Sequence, residues 1–437
     1  MKKYLQGAEQ AFKYIDQYKI ESNEGIYWDI TNAFQGGWKY YDEISLYAGS
    51  SGIIKLLLGL YETTTKDEYL KIATQAGNYL VYRWSQRRNL KKAFSKYAFT
   101  TGYAGVAYIL NELYELTKEK RFKEIVTQIT NEIIKEQNKE GCWSGQSGIV
   151  ADSGTVLFLI SLVGKYELPG LNSAIRRYGE FLLTQQKHDP VYGNYFIGLD
   201  LKYVGGPIGK FNTGFPLGPS GVAYTLLKIY QITDDSRFLR ATDGIKEFYE
   251  KMTVAGDAIL LPHYLPDDNH MCYAGYCGGP VGVSRYFFEY YKITKQKDYL
   301  KDFYKAINGL SVLHVPEERS SGFWNTDNYC CGTAGVLQLY IGVFLATKNQ
   351  NYFQKAKATA DILLNRAIKK DGTFKWLQAF ERKNPDVLTA ALGYYDGTAG
   401  IAASLLQFQQ LVDQTFKYHR LVDDPYAESQ EIGDNFL

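Results

Sequence analysis

Five glycines in this chain open one recurring pattern. Gly52, Gly105, Gly221, Gly282 and Gly335 each lead an apolar run, and nine residues later comes Tyr61, Tyr114, Tyr230, Tyr291 or Phe344. Three residues on stands Thr64, Thr117, Thr233, Thr294 or Thr347, and five after that Tyr69, Phe122, Phe238, Tyr299 or Tyr352. A register held this long means one supersecondary unit copied many times, and each unit buries its apolar face only against its neighbours. Weaker copies begin at Gly154 and Gly400. The seven anchor glycines are then spaced 53, 49, 67, 61, 53 and 65 residues apart. Most copies carry a second glycine three residues earlier (Gly49, Gly102, Gly218, Gly279, Gly332, Gly397), with Ala151 in the third copy.

The run from Gly335 to Phe344 reads GVLQLYIGVF, apolar on nearly every face, as a buried helix requires. A polar break follows the threonine. The next segment is amphipathic at helical spacing: Ala73, Ala76, Leu80 and Val81 in the first copy, Ile125, Ile129, Ile133 and Ile134 in the second. Each unit therefore reads as an inner helix followed by an outer one. Open arrays need polar terminal caps, and the terminal copies here are no more polar than the middle ones. The expected fold is all-α, an α/α toroid of seven helical hairpins in one domain spanning 1–437. Its G-x-x-G turns would meet at one end, where small residues allow close backbone approach.

Lys and Arg number 49 against 47 Asp and Glu, a net charge of +2. No strong field draws nucleic acid or a membrane surface. The basic stretch around Arg87, Arg88, Lys91 and Lys92 reads as a solvated loop. No segment is long and apolar enough to span a bilayer. The opening residues lack the apolar core of a signal peptide, so a cytoplasmic location is expected. There the 5 cysteines are not expected to form a disulfide framework. Most of the 38 tyrosines fall to helix packing. Tyr195, Phe196 and Tyr203 are weighed against a sugar- or peptide-binding role.

Three cysteines fall on the repeat register. Cys277 lies five residues before Gly282, Cys330 five before Gly335, and Cys331 four before it. In a closed ring these thiols face one another at one end. Thiolates are soft ligands, and zinc is their common redox-inert partner. Three protein ligands suit a site with an open fourth position. The plainer reading is three small buried residues beside glycine turns. Cys142, next to Trp143, reads as packing. Cys272 and His270 are candidates for a closing fourth ligand.

These residues carry a resemblance. The chain resembles the lanthionine synthetase C-like cyclases over essentially its whole length. That family pairs C-x-G, followed by a small turn and Gly, with C-H-G or C-C-G followed by x-A-G. Here the motifs stand as Cys277-Gly278-Gly279-Pro280-Val281-Gly282 and Cys330-Cys331-Gly332-Thr333-Ala334-Gly335. Tyr276 replaces a common Trp, and the proline comes one place early. The resemblance implies a toroid with zinc on Cys277, Cys330 and Cys331. It implies a zinc-dependent lanthipeptide cyclase that adds peptide Cys thiolates to dehydroalanine or dehydrobutyrine, closing (methyl)lanthionine thioether rings. The implied partner is a dehydrated precursor peptide, with a dehydratase and export machinery as further partners in a membrane-peripheral complex.

The proton-transfer residues do not all match. Leu217 stands where active members carry a His, and Tyr273 where an Arg is common, four residues before Cys277. Among positions four and five before each anchor glycine, Asp396 supplies the carboxylate. Asp396 and His270 are the candidate catalytic residues, with His263 and Asp152 behind them. Asp396 also reads as a turn or cap residue. His188, His314 and His419 have no register and receive no role. Three further functions stay open. The chain could be a zinc-containing peptide-binding subunit with little cyclase activity, or an enzyme adding a glutathione-type thiol to dehydroamino acids. A glycan-processing toroid needs two flanking carboxylates, and the register offers one. The segment 186–212 is open between leader-peptide binding and simple connection.

Overall fold

The computed structural model describes residues 2–31, 41–86, 90, 95–204, 206–252, 256–267, 270–379, 381–417 and 420–428. After α1 (Lys3–Asp16), inner and outer helices alternate. They are α2 (Ser50–Thr64) and α3 (Asp67–Ser85), α4 (Tyr103–Thr117) and α5 (Lys120–Lys135), α6 (Asp152–Ser161) and α7 (Leu171–Thr184). The fourth inner helix, α8 (Pro219–Thr233), has an outer partner broken into α9 (Ser236–Arg240) and α10 (Asp243–Glu250). Then come α11 (Pro280–Thr294) with α12 (Lys297–Val312), α13 (Thr333–Thr347) with α14 (Gln350–Arg366), and α15 (Thr398–Val412). The strands form two-stranded antiparallel ribbons in the loops. Arg87, Arg88, Lys91, Lys92 and His419 lie outside the described residues.

The repeat residues do identifiable work at each break. In five copies the threonine hydroxyl donates to the carbonyl four residues back, at 2.7 to 3.0 Å. The same oxygen accepts the N–H two residues on, at 3.2 to 3.4 Å. The residue between them, Thr65, Lys118, Asp234, Lys295 or Lys348, takes a left-handed conformation and caps the carbonyl of the first ring residue. The threonine thus stops the inner helix and satisfies groups that a helix end leaves unpaired. The second ring then anchors the outer helix: Tyr69, Phe122, Phe238 and Tyr299 are buried, and Tyr352 is half-buried.

The anchor glycines show that the ring closes. A Cβ at Gly105, Gly221, Gly282, Gly335, Gly400 or Gly52 would press into the carbonyl oxygen six residues earlier; at Gly154 it meets that of Ile149. Each glycine also abuts the preceding copy. A Cβ would lie 2.6 to 3.9 Å from Leu46 at Gly105, Phe99 at Gly154, Ile149 at Gly221, Phe215 at Gly282, Tyr276 at Gly335 and Tyr329 at Gly400. The sequence of contacts ends with Gly52, where a Cβ would lie 2.7 Å from Tyr394 of the last copy. Gly400→Ala would force the backbone of Tyr394 to move. It is expected to lower stability by about 3 kcal/mol, read from the denaturant midpoint.

The seventh pair differs from the expectation of a hairpin after Gly400. Among the described residues no α-helix follows α15. Its outer partner is α1, from the other end of the chain. Tyr4 sets its ring edge-on against Phe408 at 5.0 Å, and its N–H donates to Gln409 Oε1 at 3.3 Å. The chain beyond α15 instead re-enters the lumen, burying Arg420, Asp423, Asp424 and Tyr426. Between the C-terminal ends of the inner helices lies a cavity of about 750 Å³, lined by Lys55, Glu112, Lys228 and Arg420 among others. Among the described residues no helix is long and apolar enough to cross a membrane.

Candidate metal centre

The glycine turns meet at the other mouth. The residues five positions before the anchor glycines are tied by a chain of backbone hydrogen bonds. Cys277 N–H donates to Cys330 O at 3.1 Å, Cys330 N–H to Tyr395 O at 2.9 Å, Tyr395 N–H to Tyr47 O at 2.9 Å, and Tyr47 N–H to Thr100 O at 2.8 Å. The repeat thus ties the turns of five copies together around one mouth of the ring.

Cys277, Cys330 and Cys331 converge there, with their Sγ atoms all within 4.8 Å of one another. Cys277 and Cys331 Sγ are 3.1 Å apart. The Cys330 thiol is held well below its ordinary value because Cys277 and Cys331 both donate to it, with Tyr47 adding a further bond. The Cys277 thiol is pushed up by its bond to Cys330, and that of Cys331 by its bonds to Cys277 and Cys330. Cys330 is therefore the thiol of the three that most readily gives up its proton.

The Cys331 turn is firmly held. Asn328 Oδ1 accepts Cys331 N–H at 2.8 Å, and Gln378 Oε1 accepts the N–H groups of Asp327 and Asn328 at 2.9 and 3.0 Å. Gln378 Nε2 donates to Asp396 O at 2.8 Å, tying the sixth turn to the seventh. Arg319, Arg366 and Thr333 all bond the Asp327 carboxylate, at 2.6 to 3.0 Å. Tyr273, Trp324 and Ala379 form an apolar wall against Cys331.

Asp396 is 5% exposed, and its Oδ1 has no hydrogen-bond partner among the described residues. Burial, with the nearby charge of Cys330, pushes its carboxyl up to about 8. His270 stays outside the thiol group. Its side chain is 90% exposed and lies 3.5 Å from Asp267, with the backbone in a left-handed conformation. Cys272 is half-buried and also outside the group. His263 packs its ring on Tyr264 and Tyr273 at 3.6 and 3.7 Å, and burial lowers it to about 3, keeping it neutral.

Asp152 has a structural task. Its Oδ2 accepts the N–H groups of Trp143, Ser144 and Gly145 at 2.8 to 3.1 Å, and Oδ1 accepts Ser144 Oγ at 2.8 Å. His188 bonds Asn194 on a surface ribbon, and His314 occupies a left-handed turn. Tyr195 stacks on Phe211 and Phe248, Phe196 is fully buried, and Tyr203 is 53% exposed.

Sequence reasoning missed Tyr47 and Tyr41. Tyr47 occupies the same register position as Cys277 and Cys330, five before its own anchor glycine. Its ring stacks between Tyr41 at 4.5 Å and Tyr395 at 5.3 Å. The register itself was the available signal, and a search confined to carboxylates passes over a phenol.

A closed ring of helix pairs with three thiols where its glycine turns meet defines the class of molecule. The model of lanthionine synthetase C-like proteins matches residues 2–157 and 40–419. The chain belongs to the lanthionine synthetase C-like family. Its fold is similar to that of nisin cyclase, with TM-score 0.67 at 17% identity, covering 89% of this chain and 94% of that one. It is also similar to the Lin0763 protein from Listeria innocua, with TM-score 0.50 at 14% identity, covering 95% and 99%. Among curated proteins none matches the sequence.

Proposed function

We propose that the protein is a zinc-dependent cyclase forming (methyl)lanthionine rings in a dehydrated Cys-containing peptide. The observation that carries this reading is the convergence of Cys277, Cys330 and Cys331 within 4.8 Å beside the buried carboxyl of Asp396. The donor set fits zinc: three soft ligands on two adjacent turns leave a fourth position for substrate. When bound, zinc supplies a cation that deprotonates a substrate thiol near neutral pH. Cys277, Cys330 and Cys331 would hold the cation. Their turns are fixed by Asn328 and Gln378. The Tyr273 and Trp324 wall shields the site from water. Asp396, whose buried carboxyl is pushed up, would give a proton to the α-carbon once the sulfur has added to the β-carbon.

Loss of free thiol from a dehydrated Cys-containing peptide, with a thioether product of unchanged mass, tests the reading. Unchanged thiol overturns it. Leu217, which cannot transfer a proton, favours a second reading: a zinc-containing peptide-binding subunit, for which the same peptide binds without turnover. Thiol consumed only when glutathione is supplied points to intermolecular addition instead. A dehydratase and export machinery belong to the same proposal as the neighbours of such an enzyme.

Zinc binds thiolates, and the thiols of Cys277 and Cys331 are pushed up, so zinc uptake is expected to release protons from them. About two protons are expected to leave per zinc, so affinity rises about 100-fold per pH unit below the thiol range. Calorimetric titration in buffers of differing ionisation enthalpy measures the number.

A further inference from the structure

The chain beyond α15 does more than fill the lumen. Asp423 lies 1% exposed at its centre. Its Oδ2 accepts Tyr276 Oη at 2.6 Å and Arg285 Nη1 at 2.9 Å. Arg285 Nη2 in turn donates to Tyr329 Oη at 2.9 Å, and the guanidinium lies over the Tyr276 ring at 4.7 Å. Arg285 also takes the Asp423 carbonyl at 3.2 Å. Tyr276 immediately precedes Cys277, and Tyr329 immediately precedes Cys330. A third ring, Tyr395, precedes Asp396 and packs on Tyr329 at 5.2 Å and on Tyr276 at 6.2 Å. Cys277 and Cys330 therefore each follow a tyrosine whose hydroxyl bonds one ion pair, and Tyr395, before Asp396, packs on both of those rings.

The segment carrying Asp423 is itself pinned to three inner helices. Arg420 bonds Asp424 at 2.5 Å and the carbonyl of Gln338 on α13 at 2.9 Å. Tyr108 on α4 donates to Arg420 O at 3.2 Å, and Lys292 on α11 to Pro425 O at 2.8 Å. Tyr426 packs on Phe288 at 4.9 Å. A buried ion pair is weak evidence for stability, because desolvation offsets its attraction, but a fully packed one fixes position.

We propose that residues 420–428 form a central strut, and that Asp423, with Arg285, sets the spacing of Cys277 and Cys330 through Tyr276 and Tyr329. Tyr276, Tyr329, Arg285 and Asp423 are thus positioning residues for the metal. This rests on the zinc reading of the thiols. Groups that orient metal ligands from behind commonly alter affinity 10- to 100-fold.

The test removes the hydroxyls alone. Zinc affinity of full-length Tyr276→Phe and Tyr329→Phe is measured by competition with a chromophoric chelator, and the cobalt(II) absorption bands are recorded. Tyr286→Phe serves as control: that buried hydroxyl bonds Thr242 O at 3.1 Å and touches no thiol turn. Each of the two variants is expected to bind zinc about 10-fold more weakly with shifted cobalt bands, while Tyr286→Phe matches the wild type. Equal zinc affinity and unshifted bands in both variants, with the wild type binding zinc, overturn the strut and leave the zinc reading intact. A wild type that takes up no zinc overturns the zinc reading itself, and the strut with it.

Discussion

Cys330→Ala is expected to strip the protein of its metal and of thiol-consuming activity while the ring stays folded. Cys330 is the thiol toward which the other two donate, and its backbone links the fifth turn to the seventh through Cys277 N–H and Tyr395 O. Alanine keeps those backbone bonds and removes the sulfur. Zinc sites in small domains are worth about 10–16 kcal/mol. One thiolate of three then carries roughly 3–5 kcal/mol, a fall in affinity of about 10³-fold. The measurement is zinc content after dialysis against a weak chelator, alongside the peptide thiol assay. Far-UV circular dichroism and the thermal midpoint monitor the fold. Cys272→Ala is the comparison: that thiol lies outside the cluster, so both zinc and turnover persist. Retained zinc and turnover in Cys330→Ala would remove the cluster from the mechanism.

The register made the ring and the thiols legible, because copied turns put equivalent residues at equivalent places. The lack of polar terminal copies pointed to closure, which the contact of the first copy at Gly52 with Tyr394 of the seventh then shows, and Cys277 and Cys330 already shared a position. What escaped reading depends on contacts between distant parts of the chain that leave no periodic trace. Helix α1 carries no anchor glycine, so nothing in its sequence marks it as the partner of α15. Residues 420–428 are short and irregular, and only coordinates show Asp423 reaching Tyr276. Asp152 is a reserve candidate for proton transfer on sequence alone, yet three backbone N–H groups converge on one of its oxygens. His270 shares a loop with Cys272, but its left-handed backbone and its Asp267 partner leave it at the surface. Spacing along a loop says nothing about where a side chain ends.

Asp396→Asn is expected to slow ring closure by about 10²- to 10⁴-fold, the usual contribution of a positioned acid, with zinc content unchanged. Leu217 shares the register position of Asp396, four before its own anchor glycine, and has no proton to give. The carboxyl of Asp396 does. Burial pushes it up to about 8, so it is protonated at neutral pH, and its Oδ1 is without a partner among the described residues. Asparagine keeps the shape and the backbone bonds of Asp396 O to Gln378 while abolishing transfer. The raised carboxyl also predicts a sign in the metal-free protein. Its folded form holds a proton that the unfolded chain releases near the ordinary Asp range. The resulting stability is complete below about 4 and is lost as pH rises through about 8. Asp396→Asn lacks that dependence, so it gains stability relative to the wild type across the same interval, as denaturant midpoints at pH 5 and pH 9 would register. A variant that closes rings at the wild-type rate would assign the proton to another donor, and Tyr47, stacked on Tyr395 and bonded to Cys330, is the group that geometry puts next in line.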